Sequence, residues 1–571
     1  MIDRFETHEH DVLVLGAGGA GLRAAIAASA AGASVGVVCK SLLGKAHTVM
    51  AEGGMAASLG NVDPADNWQV HFADTMRGGQ MINNWRMAEI FAKEAPDRVY
   101  ELERWGALFD RTPEGKIMQR PFGAHTYRRL AHVGDRTGLE LIRTLQDKGV
   151  HSGLSVYMEC TITRLLKDGA RVSGAFGYWR EDGRFVLFKA KAIVIATGGW
   201  GRLFKVTSNS WESTGDGVAM AYQAGAELRD TEMVQFHPTG MVWPPGVRGL
   251  LVTEGVRGEG GVLKNSEGER FMLRYDPVKK ELSSRDVVAR AIYREVLEGR
   301  GSTHGGAYLD ISEKPSEFVK RKLPSMYEQF LALADVDITK QPMEVAPTIH
   351  YAMGGIRVEA ESGASTVPGL FAAGEAAAGL HGANRLGGNS LTDLLVFGRR
   401  AGEAAATFAV SNGTTAVDES QIDEEKELLL RPFESGGKEN PYLLHQDLQA
   451  VMSEHVGIFR DEATLQAGLE KVLGLQRRSA NLEVEGSRMF NPAWHMARDD
   501  LFMLTIAEAI IRCALVRKES RGAHFRSDYP EKSDELGRVN FVTCKEDGAM
   551  RVVPMTIPPM PDELRQLVEA K

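Results

Sequence analysis

The feature that most constrains the fold lies near the start of the chain, where an apolar strand pattern runs directly into closely spaced glycines. Residues 11–15 have the pattern of a buried strand, and Gly16, Gly18 and Gly21 follow before an Ala-rich helical stretch from Leu22 to Ala31. Such glycines permit a tight turn, close approach of the backbone to a pyrophosphate, and close packing of helix on strand. The start of the helix offers N–H groups and a positive dipole end to phosphates. The sequence therefore predicts a Rossmann-like dinucleotide-binding unit.

Further strand-to-glycine junctions predict that this unit is assembled from distant parts of the chain. Ser34–Cys39 has the pattern of the second strand, and Ala192–Thr197 and Gly369–Ala373 each lead into further glycines. The residues between the last two junctions include a segment that we interpret as an insertion, and the chain after residue 418 favours helix. The predicted fold class is α/β: a Rossmann-like domain, an inserted α+β capping domain, a helical domain and a small C-terminal domain. The predicted ranges are 1–239 with 346–417, 240–345, 418–533 and 534–571.

Composition excludes some classes of function. The chain has 67 Lys and Arg residues against 76 Asp and Glu, a formal net charge of −9, so nucleic acid is not an expected partner. Its four cysteines, Cys39, Cys160, Cys513 and Cys544, are far apart and form no CxxC pair. The sequence therefore predicts neither a disulfide framework nor an iron–sulfur or other metal site, and it favours a reducing compartment.

The terminal and apolar segments predict a chain that contacts a membrane only through partners. Residues 1–10 are polar and lack the pattern of a signal or transit peptide, which favours a prokaryotic cytoplasmic protein. The most apolar window, Leu501–Val516, contains Glu508 and Arg512 and is short for a membrane span. We interpret it as a buried helix.

The most diagnostic motif is Gly44-Lys-Ala-His47-Thr-Val-Met-Ala-Glu-Gly53-Gly54. It resembles the segment by which the flavoprotein subunits of succinate dehydrogenases and fumarate reductases attach FAD, through a histidine, to the 8α-methyl group of the flavin. The resemblance implies that His47 is the covalent ligand and that the link raises the flavin potential. The alternative is a loop histidine that only packs or hydrogen-bonds beside the flavin.

Matches to the same family continue in order along the chain. They are Thr214-Gly-Asp216-Gly, Glu232-Met-Val-Gln-Phe-His237-Pro-Thr239, Thr253-Glu254-Gly-Val-Arg257, Ser284-Arg285-Asp286, His350-Tyr-Ala-Met-Gly-Gly355, Gly374-Glu375-Ala, Gly382-Ala-Asn-Arg385-Leu-Gly-Gly-Asn-Ser390-Leu391 and Arg517-Lys-Glu-Ser-Arg-Gly-Ala-His524. With the glycine loop, they imply a FAD-binding set of Gly16, Gly18, Gly21, Lys40, His47, Thr48, Gly53, Gly54, Asp216, Glu375, Ser390 and Leu391. Glu375 is the candidate ribose ligand, because the second strand ends in Lys40 where an NAD site usually has an acidic residue; the alternative for Glu375 is a helix-start carboxylate.

The resemblance also implies a dicarboxylate site. It assigns His237 and Thr253 to one carboxylate of succinate or fumarate, and His350 and Arg385 to the other. A bidentate arginine would fix the plane of its carboxylate. From residue type alone, His237 before a proline could be a turn histidine and Arg385 a structural ion pair.

Proton transfer is assigned by the resemblance to Arg285, with Glu254 and Arg257 as a relay to solvent. From residue type alone, Arg285 in Ser-Arg-Asp would be interpreted as a surface arginine that ion-pairs with Asp286 at a helix start. Since an arginine is normally protonated, it donates to fumarate easily but accepts from succinate poorly, which is why a relay is needed. These three residues lie in the inserted segment, whereas His47 and Arg385 belong to the FAD-binding domain. The predicted active site is therefore interdomain and closes by movement of the capping domain.

The family implies partners for the electrons: an iron–sulfur subunit, and a membrane anchor that exchanges electrons with quinone and holds the complex at the cytoplasmic face of the inner membrane. Succinate oxidation is the expected direction. The alternatives are fumarate reduction, an L-aspartate oxidase with non-covalent FAD, and a non-enzymatic flavin-binding interaction protein. The stretch from Phe122 to His132 departs from the family's usual Gly-rich version, which suggests a prokaryotic branch.

Overall fold

A computed structural model describes residues 5–434 and 436–570. Residues 1 and 571, which bound the predicted domain ranges, lie outside the described residues. In chain order the strands are β1 (Glu6–Leu15), β2 (Val35–Val38), β3 (Met55–Ala56), β4 (Gln119–Arg120), β5 (Leu130–Ala131), β6 (Ser155–Tyr157), β7 (Cys160–Asp168), β8 (Arg171–Trp179), β9 (Phe185–Ile195), β10 (Leu228–Arg229), β11 (Val234–Met241), β12 (Val262–Lys264), β13 (Ala307–Asp310), β14 (Met343–Ala352), β15 (Gly355–Arg357), β16 (Leu370–Ala372), β17 (Ala377–Ala378), β18 (Val539–Glu546) and β19 (Ala549–Thr556).

The α-helices, in the same order, are α1 (Gly19–Ala30), α2 (Trp68–Gly78), α3 (Trp85–Arg104), α4 (Thr137–His151), α5 (Asp216–Gln223), α6 (Gly255–Gly258), α7 (Met272–Tyr275), α8 (Arg285–Leu297), α9 (Ser316–Lys322), α10 (Pro324–Ala334), α11 (Asn389–Ser411), α12 (Glu419–Glu434), α13 (Pro441–His455), α14 (Glu462–Ser479), α15 (Pro492–Val516) and α16 (Asp562–Glu569). A 3₁₀ turn covers His47–Met50.

A seven-stranded sheet brings the distant glycine junctions together. Its order is β6-β2-β1-β9-β8-β7, and β16 also pairs with β9. β1, β2, β9 and β16 are mutually parallel along their pairings, so the glycines that follow β1, β9 and β16 meet at one edge of the sheet. The predicted strand 11–15 is the buried half of the longer β1.

Small residues allow α11 to lie directly on α1. A Cβ on Gly402 would stand 2.1 Å from the carbonyl oxygen of Ala24, and one on Gly398 would stand 2.7 Å from that of Ala20. Because neither glycine has a side chain, the two helix backbones approach closely. This contact holds the first turn of α11 beside the glycine loop that precedes α1.

The inserted segment has its own sheet and core. β11 and β14 pair antiparallel and continue through β13 to β12, with α8 packed against β11. A separate apolar core extends from Met241 to Val345. The predicted limits at 239/240 and 345/346 fall inside β11 and β14, which carry the chain into and out of this segment.

The predicted α/β fold class is confirmed, with helices α12–α15 following the nucleotide-binding unit. The C-terminal hairpin β18–β19 does not stand alone, because it extends a sheet of order β17-β15-β10-β18-β19. The exact domain limits stay predictions. The apolar window Leu501–Val516 is the C-terminal part of the largely buried α15. Among the described residues, none of the helices combines the length and apolar character that crossing a bilayer requires.

A buried charge cluster joins the end of α15 to the start of β11. Arg517 is fully buried and ion-pairs with Glu232, with Asp230 at 3.0 Å and with Glu519 at 3.1 Å. Burial disfavours the charged form of Arg517, but the attraction of Glu232 and Asp230 is stronger and raises the pKa of Arg517. The helical region is thereby fixed to the residues that lead into β11.

We expect Arg517→Met to destabilise the protein strongly, since it leaves the buried Glu232 carboxylate without its cation, while Asp230 keeps Arg229 and Glu519 keeps Arg521. Removing one partner of a buried ion pair costs about 3–5 kcal/mol. The measurement is the midpoint of thermal unfolding of the FAD-loaded protein.

The matched control is Arg512→Met on the same helix, where the arginine is 33% exposed and pairs with Glu508. Partly exposed pairs are worth about 0–1 kcal/mol, so the control should unfold close to the unmodified protein. Equal midpoints for the two variants would contradict the role given to Arg517.

Candidate active site

A cavity runs along the sheet edge where the glycine junctions meet. Its walls are the turn after β1, the end of β2, the 3₁₀ turn at His47, the start of α5 and the first turn of α11. The predicted cofactor residues that line it are Gly16, Gly18, Lys40, His47, Thr48, Asp216, Glu375, Ser390 and Leu391. His350 and Arg385 reach it as well.

The glycine loop is shaped for close approach. Gly16 has φ +107°, and a Cβ there would meet the Ala196 carbonyl oxygen at 2.3 Å. A Cβ on Gly21 would stand 1.8 Å from the Gly16 carbonyl oxygen, so α1 can pack on the turn only with glycine there. Gly18 has no side chain to cap α1, and Thr48 accepts only from the Gly19 N–H, so the next N–H groups of the first turn are left for an anion. These features fit the pyrophosphate of FAD.

Lys40 lies in the cavity wall, but its ammonium group is already paired. It contacts Asp216 at 2.9 Å and Asp499 at 2.7 Å and donates to Thr214 at 3.0 Å. Burial opposes the charge, whereas the two aspartates outweigh it and raise the pKa of Lys40. Lys40 therefore links the nucleotide-binding unit to α15 as well as lining the cavity.

Glu375 follows β16 and accepts a hydrogen bond from the Ala352 N–H at 2.9 Å. Burial raises the pKa of its carboxyl to about 7. It faces the cavity, and no cation among the described residues ion-pairs with it, so the predicted role of Glu375 as a ribose ligand stays chemically suitable.

His47 stands half-buried in the cavity wall at the start of the 3₁₀ turn. The Ser210 N–H donates to its Nδ1 at 3.3 Å, and the Asn209 amide nitrogen is 3.2 Å from its Nε2. Removal from water lowers the pKa of His47 to about 4, so the ring is neutral at physiological pH. A neutral imidazole keeps a nucleophilic lone pair, which a bond to a flavin methyl group requires.

The remaining predicted cofactor residues support the cavity from different sides. Thr48 accepts from the Gly19 N–H at 3.3 Å, and Ser390 accepts from Arg385 at 2.6 Å. Gly53 and Gly54 are not in the cavity wall. A Cβ on Gly53 would meet the Phe122 ring at 2.8 Å, and one on Gly54 the Ala131 carbonyl oxygen at 2.9 Å, so both glycines serve close packing behind the site.

Two histidines meet at one end of the cavity. The ring centroids of His237 on β11 and His350 on β14 are 5.1 Å apart, and the ring planes are inclined at 63°. The contacts of His237 with Thr239 and of His350 with Ser208 use Nδ1, so within the described residues each Nε2 is left for a ligand. Burial holds the pKa of both far below the ordinary value, and nearby arginines lower it further. His237 makes the turn contacts with Thr239 and also lies beside His350, so its role in carboxylate binding stays a prediction.

Arg285 and Glu254 form a buried pair beside these histidines. Arg285 is the first residue of α8, and its Nε donates to Glu254 at 2.9 Å, while Asp286 pairs with Arg290 instead. The alternative of a surface pair between Arg285 and Asp286 is therefore wrong. Arg257 lies 3.7 Å from the same carboxylate oxygen of Glu254. Burial opposes ionisation of Glu254, but the two arginines outweigh it and keep its pKa below normal.

Gln235 is a site residue that the sequence argument missed. Its amide oxygen accepts from Arg285 at 2.9 Å and from Arg385 at 3.2 Å, and its amide nitrogen donates to Asn384 at 2.7 Å. The available signal was its position two residues before His237 on one strand, because residues two apart share a face. Ser208 and Asn209, which orient the histidines, carried no recognisable spacing signal.

Arg385 is 3% exposed and stacks on the Tyr351 ring at 4.3 Å. Its described hydrogen-bond partners, Ser390 and Gln235, are neutral, and its Nε has no partner among the described residues. The alternative of a structural ion pair is therefore wrong. Burial lowers the pKa of Arg385 to about 9, which still leaves it charged at neutral pH.

The buried charges of this site do not balance among the residues that the structure describes. Arg257, Arg285 and Arg385 have one carboxylate, Glu254, within ion-pairing distance among the described residues. Thr253 is buried next to Glu254 but uses its hydroxyl to accept from the Gly255 N–H at 3.2 Å. The arrangement leaves two buried positive charges without a counter-ion, which an enclosed dianion would neutralise.

Comparison with known proteins agrees with this geometry. A model described as FAD binding domain matches residues 11–391, and one described as fumarate reductase flavoprotein C-term matches residues 445–563. One of the chains of the fumarate reductase (CoM/CoB) of Methanothermobacter marburgensis is 47% identical, with the match covering 93% of this chain and 97% of that one. The succinate dehydrogenase flavoprotein subunit of Coxiella burnetii is 40% identical, covering 96% and 97%.

A solved structure is similar over nearly the whole chain. It is Sdh1 of Mycobacterium smegmatis in complex with UQ1, with a TM-score of 0.90 and 55% identity over 99% of this chain and 97% of that one. These matches extend across both the nucleotide-binding unit and the helical region. The chain therefore belongs to the family of FAD-binding flavoprotein subunits of succinate dehydrogenases and fumarate reductases.

Proposed function

We propose that this chain oxidises succinate to fumarate as the flavoprotein subunit of a succinate dehydrogenase. The proposal rests on the two uncompensated positive charges that lie beside two neutral histidines at the end of the FAD cavity. A four-carbon dicarboxylate carries two negative charges, one at each end, and so matches both the charge and its distribution. Fumarate reduction at the same site is the alternative direction, and relatives with both names are similar to this chain.

In this proposal the two carboxylates are held from opposite sides. His237 and Thr253 bind one end, and His350 and Arg385 bind the other. A guanidinium donates through a planar fork, so Arg385 fixes the plane of its carboxylate while the stacked Tyr351 ring restrains the guanidinium. This orientation gives the central carbons one approach to the flavin.

Bound FAD supplies the acceptor for a hydride from one central carbon. Arg285 takes part in transfer of the proton on the neighbouring carbon, and Glu254 removes or returns the proton on Arg285. Arg257 connects Glu254 to the backbone carbonyl of Glu281, whose carboxylate pairs with the 38% exposed Arg270. We propose that Arg257 is the member of the relay nearest this surface, and that the proton leaves toward solvent on this side while the reacting carbons stay shielded from water.

FAD attachment through His47 is part of the proposal. The ring is neutral, lines the cavity and is oriented by Asn209 and Ser210. A covalent link retains the cofactor and raises its potential, which favours acceptance of electrons from succinate, a weak reductant.

Reduced flavin needs an electron acceptor, and we propose an iron–sulfur subunit that transfers the electrons to quinone through a membrane anchor. The exposed apolar side chains of Leu42 and Met50 belong to the cavity wall, and exposed Trp211 follows Ser210 of that wall. This apolar rim beside His47 is a suitable docking surface close to the flavin. Held by these partners, the chain would lie at the cytoplasmic face of the inner membrane.

We expect Arg285→Ala to lower succinate-dependent reduction of an acceptor dye by about 10²- to 10⁴-fold, the usual contribution of a proton-transfer group. FAD content and the change in flavin absorbance on adding malonate should persist, because the variant leaves Arg385 and both histidines in place. The control is Arg294→Ala on the exposed side of α8, which should keep normal turnover. Near-normal turnover of the Arg285 variant with FAD bound would remove Arg285 from its role.

We expect flavin to remain with the polypeptide after denaturation and acid precipitation, and to be released from a His47→Ser variant. The reason is that only a covalent bond survives unfolding of the cavity. Flavin fluorescence of the precipitated band is the measurement, and His151→Ser on the exposed end of α4 is the control that should retain it. Release from the unmodified protein would contradict the linkage and favour chemistry like that of L-aspartate oxidase.

A further inference from the structure

The stretch that departs from the usual family pattern forms a bridge across the active site. We define the bridging loop as residues Phe122–Thr126. The Gly123 N–H donates to the Glu254 carboxylate at 2.6 Å, and the Ala124 N–H donates to the Leu282 carbonyl oxygen at 3.3 Å. The loop is thus hydrogen-bonded to the inserted segment, at the very carboxylate that holds Arg285.

The other half of the bridging loop is hydrogen-bonded to the nucleotide-binding unit. His125 Nε2 is 2.8 Å from the Gly387 carbonyl oxygen, and Thr126 donates through its N–H and its hydroxyl to Asp74 on α2 at 2.8 and 2.7 Å. Since a carbonyl oxygen only accepts, Nε2 must carry the proton and the ring must be the Nε2–H tautomer. His125 therefore connects the loop to the segment that follows Arg385.

The surroundings keep His125 uncharged. Its Nδ1 is buried and has no partner among the described residues. Burial lowers the pKa of His125 to about 4, and Arg129 lowers it further, against the opposing effects of Asp74, Gly387 and Glu254. The ring of His71 on α2 lies 6.2 Å away. At neutral pH His125 is thus a neutral hydrogen-bond donor, with a role that does not depend on its own titration.

The Gly387 end of this hydrogen bond lies against the reacting groups. A Cβ on Gly387 would stand 2.4 Å from the Phe122 ring and 3.0 Å from Arg285 Nη2. There is consequently little free space between the bridging loop, Arg285 and the backbone two residues after Arg385. Displacement of the Gly387 carbonyl would alter the contact with Arg285 and the anchoring of Arg385.

We propose that His125 is a positioning residue for the dicarboxylate reaction. Through Gly387 on one side and Gly123–Glu254 on the other, it holds the proton-transfer pair and the carboxylate-binding Arg385 at one fixed separation. The inference rests on the proposed function, because it needs those groups to act on one substrate. It adds to that function a residue that touches neither substrate nor cofactor and acts through a neutral N–H.

The geometry allows a sharp test with side chains of different reach. Glutamine carries its amide nitrogen the same number of bonds from Cβ as the Nε2 of histidine, whereas asparagine carries it one bond nearer, and leucine has no donor. We expect His125→Gln to keep kcat near that of the unmodified complex. In His125→Asn and His125→Leu, kcat should fall on the order of 10- to 100-fold, with a smaller rise in KM, as for misplaced catalytic groups.

The measurements are succinate oxidation by the intact complex, its pH profile, FAD content and the malonate-induced change in flavin absorbance. The pH profile of His125→Gln should match that of the unmodified complex, because the imidazole is neutral throughout. His151→Gln, His151→Asn and His151→Leu on α4 are the matched controls, and all three should behave like the unmodified complex. If His125→Leu binds no FAD, the difference in kcat between the His125→Gln and His125→Asn variants tests the proposal instead.

Three results would overturn the proposal: normal kcat in both the Asn and Leu variants, equal loss in the Gln and Asn variants, or a shifted pH profile in His125→Gln. The last would make His125 a proton carrier instead. Failure of the proposed function is a separate outcome, since the unmodified complex itself would then neither oxidise succinate nor respond to malonate.

Discussion

Two buried positive charges that pair with no carboxylate among the described residues are the constraint on which the active site depends. Transferring a guanidinium from water into a closed interior is costly unless an anion and hydrogen bonds replace the water. Glu254 compensates for one of the three arginines, and Arg385 has only neutral partners among the described residues. The neighbouring histidines add no further charge, because burial keeps them neutral. In the proposed function, the bound dicarboxylate supplies the negative charge that this site lacks.

Holding like charges close together requires a rigid frame, and the frame is built from several segments. α11 supplies Ser390 to Arg385, and its close packing on α1 fixes that end of the site. β11 supplies Gln235, which accepts from both arginines, and the cluster around Arg517 anchors the residues that lead into that strand. The neutral groups of Gln235 and Ser390 thus hold the arginines by hydrogen bonds, while the buried ion pairs around Arg517 fix the segment that carries Gln235.

The sequence was informative where a local rule applies. The glycine loop, β1 and α1 follow from hydrophobic period and turn chemistry, and the charge of the chain directs attention away from nucleic acid. The family motifs name the arginines and histidines that the fold then brings together. Nothing in the sequence pairs Gln235 with two arginines 50 and 150 residues away, or Lys40 with Asp499, because such contacts depend on tertiary packing. The incorporation of the C-terminal hairpin into the sheet of β10 and β15 is non-local in the same way.

The pairing of β11 with β14 has a mechanical consequence. These two strands are the entrance and exit of the inserted segment, and they form one antiparallel ladder. His237, Gln235 and His350 lie on the ladder, whereas Arg285, Glu254 and Arg257 lie beyond it. A rotation of the inserted segment about this ladder, with release of the Gly123–Glu254 hydrogen bond, would move Thr253 and the proton-transfer residues away while leaving the histidine pair almost stationary. Product could then leave, and a new diacid enter, while His237 and His350 keep their places on the ladder.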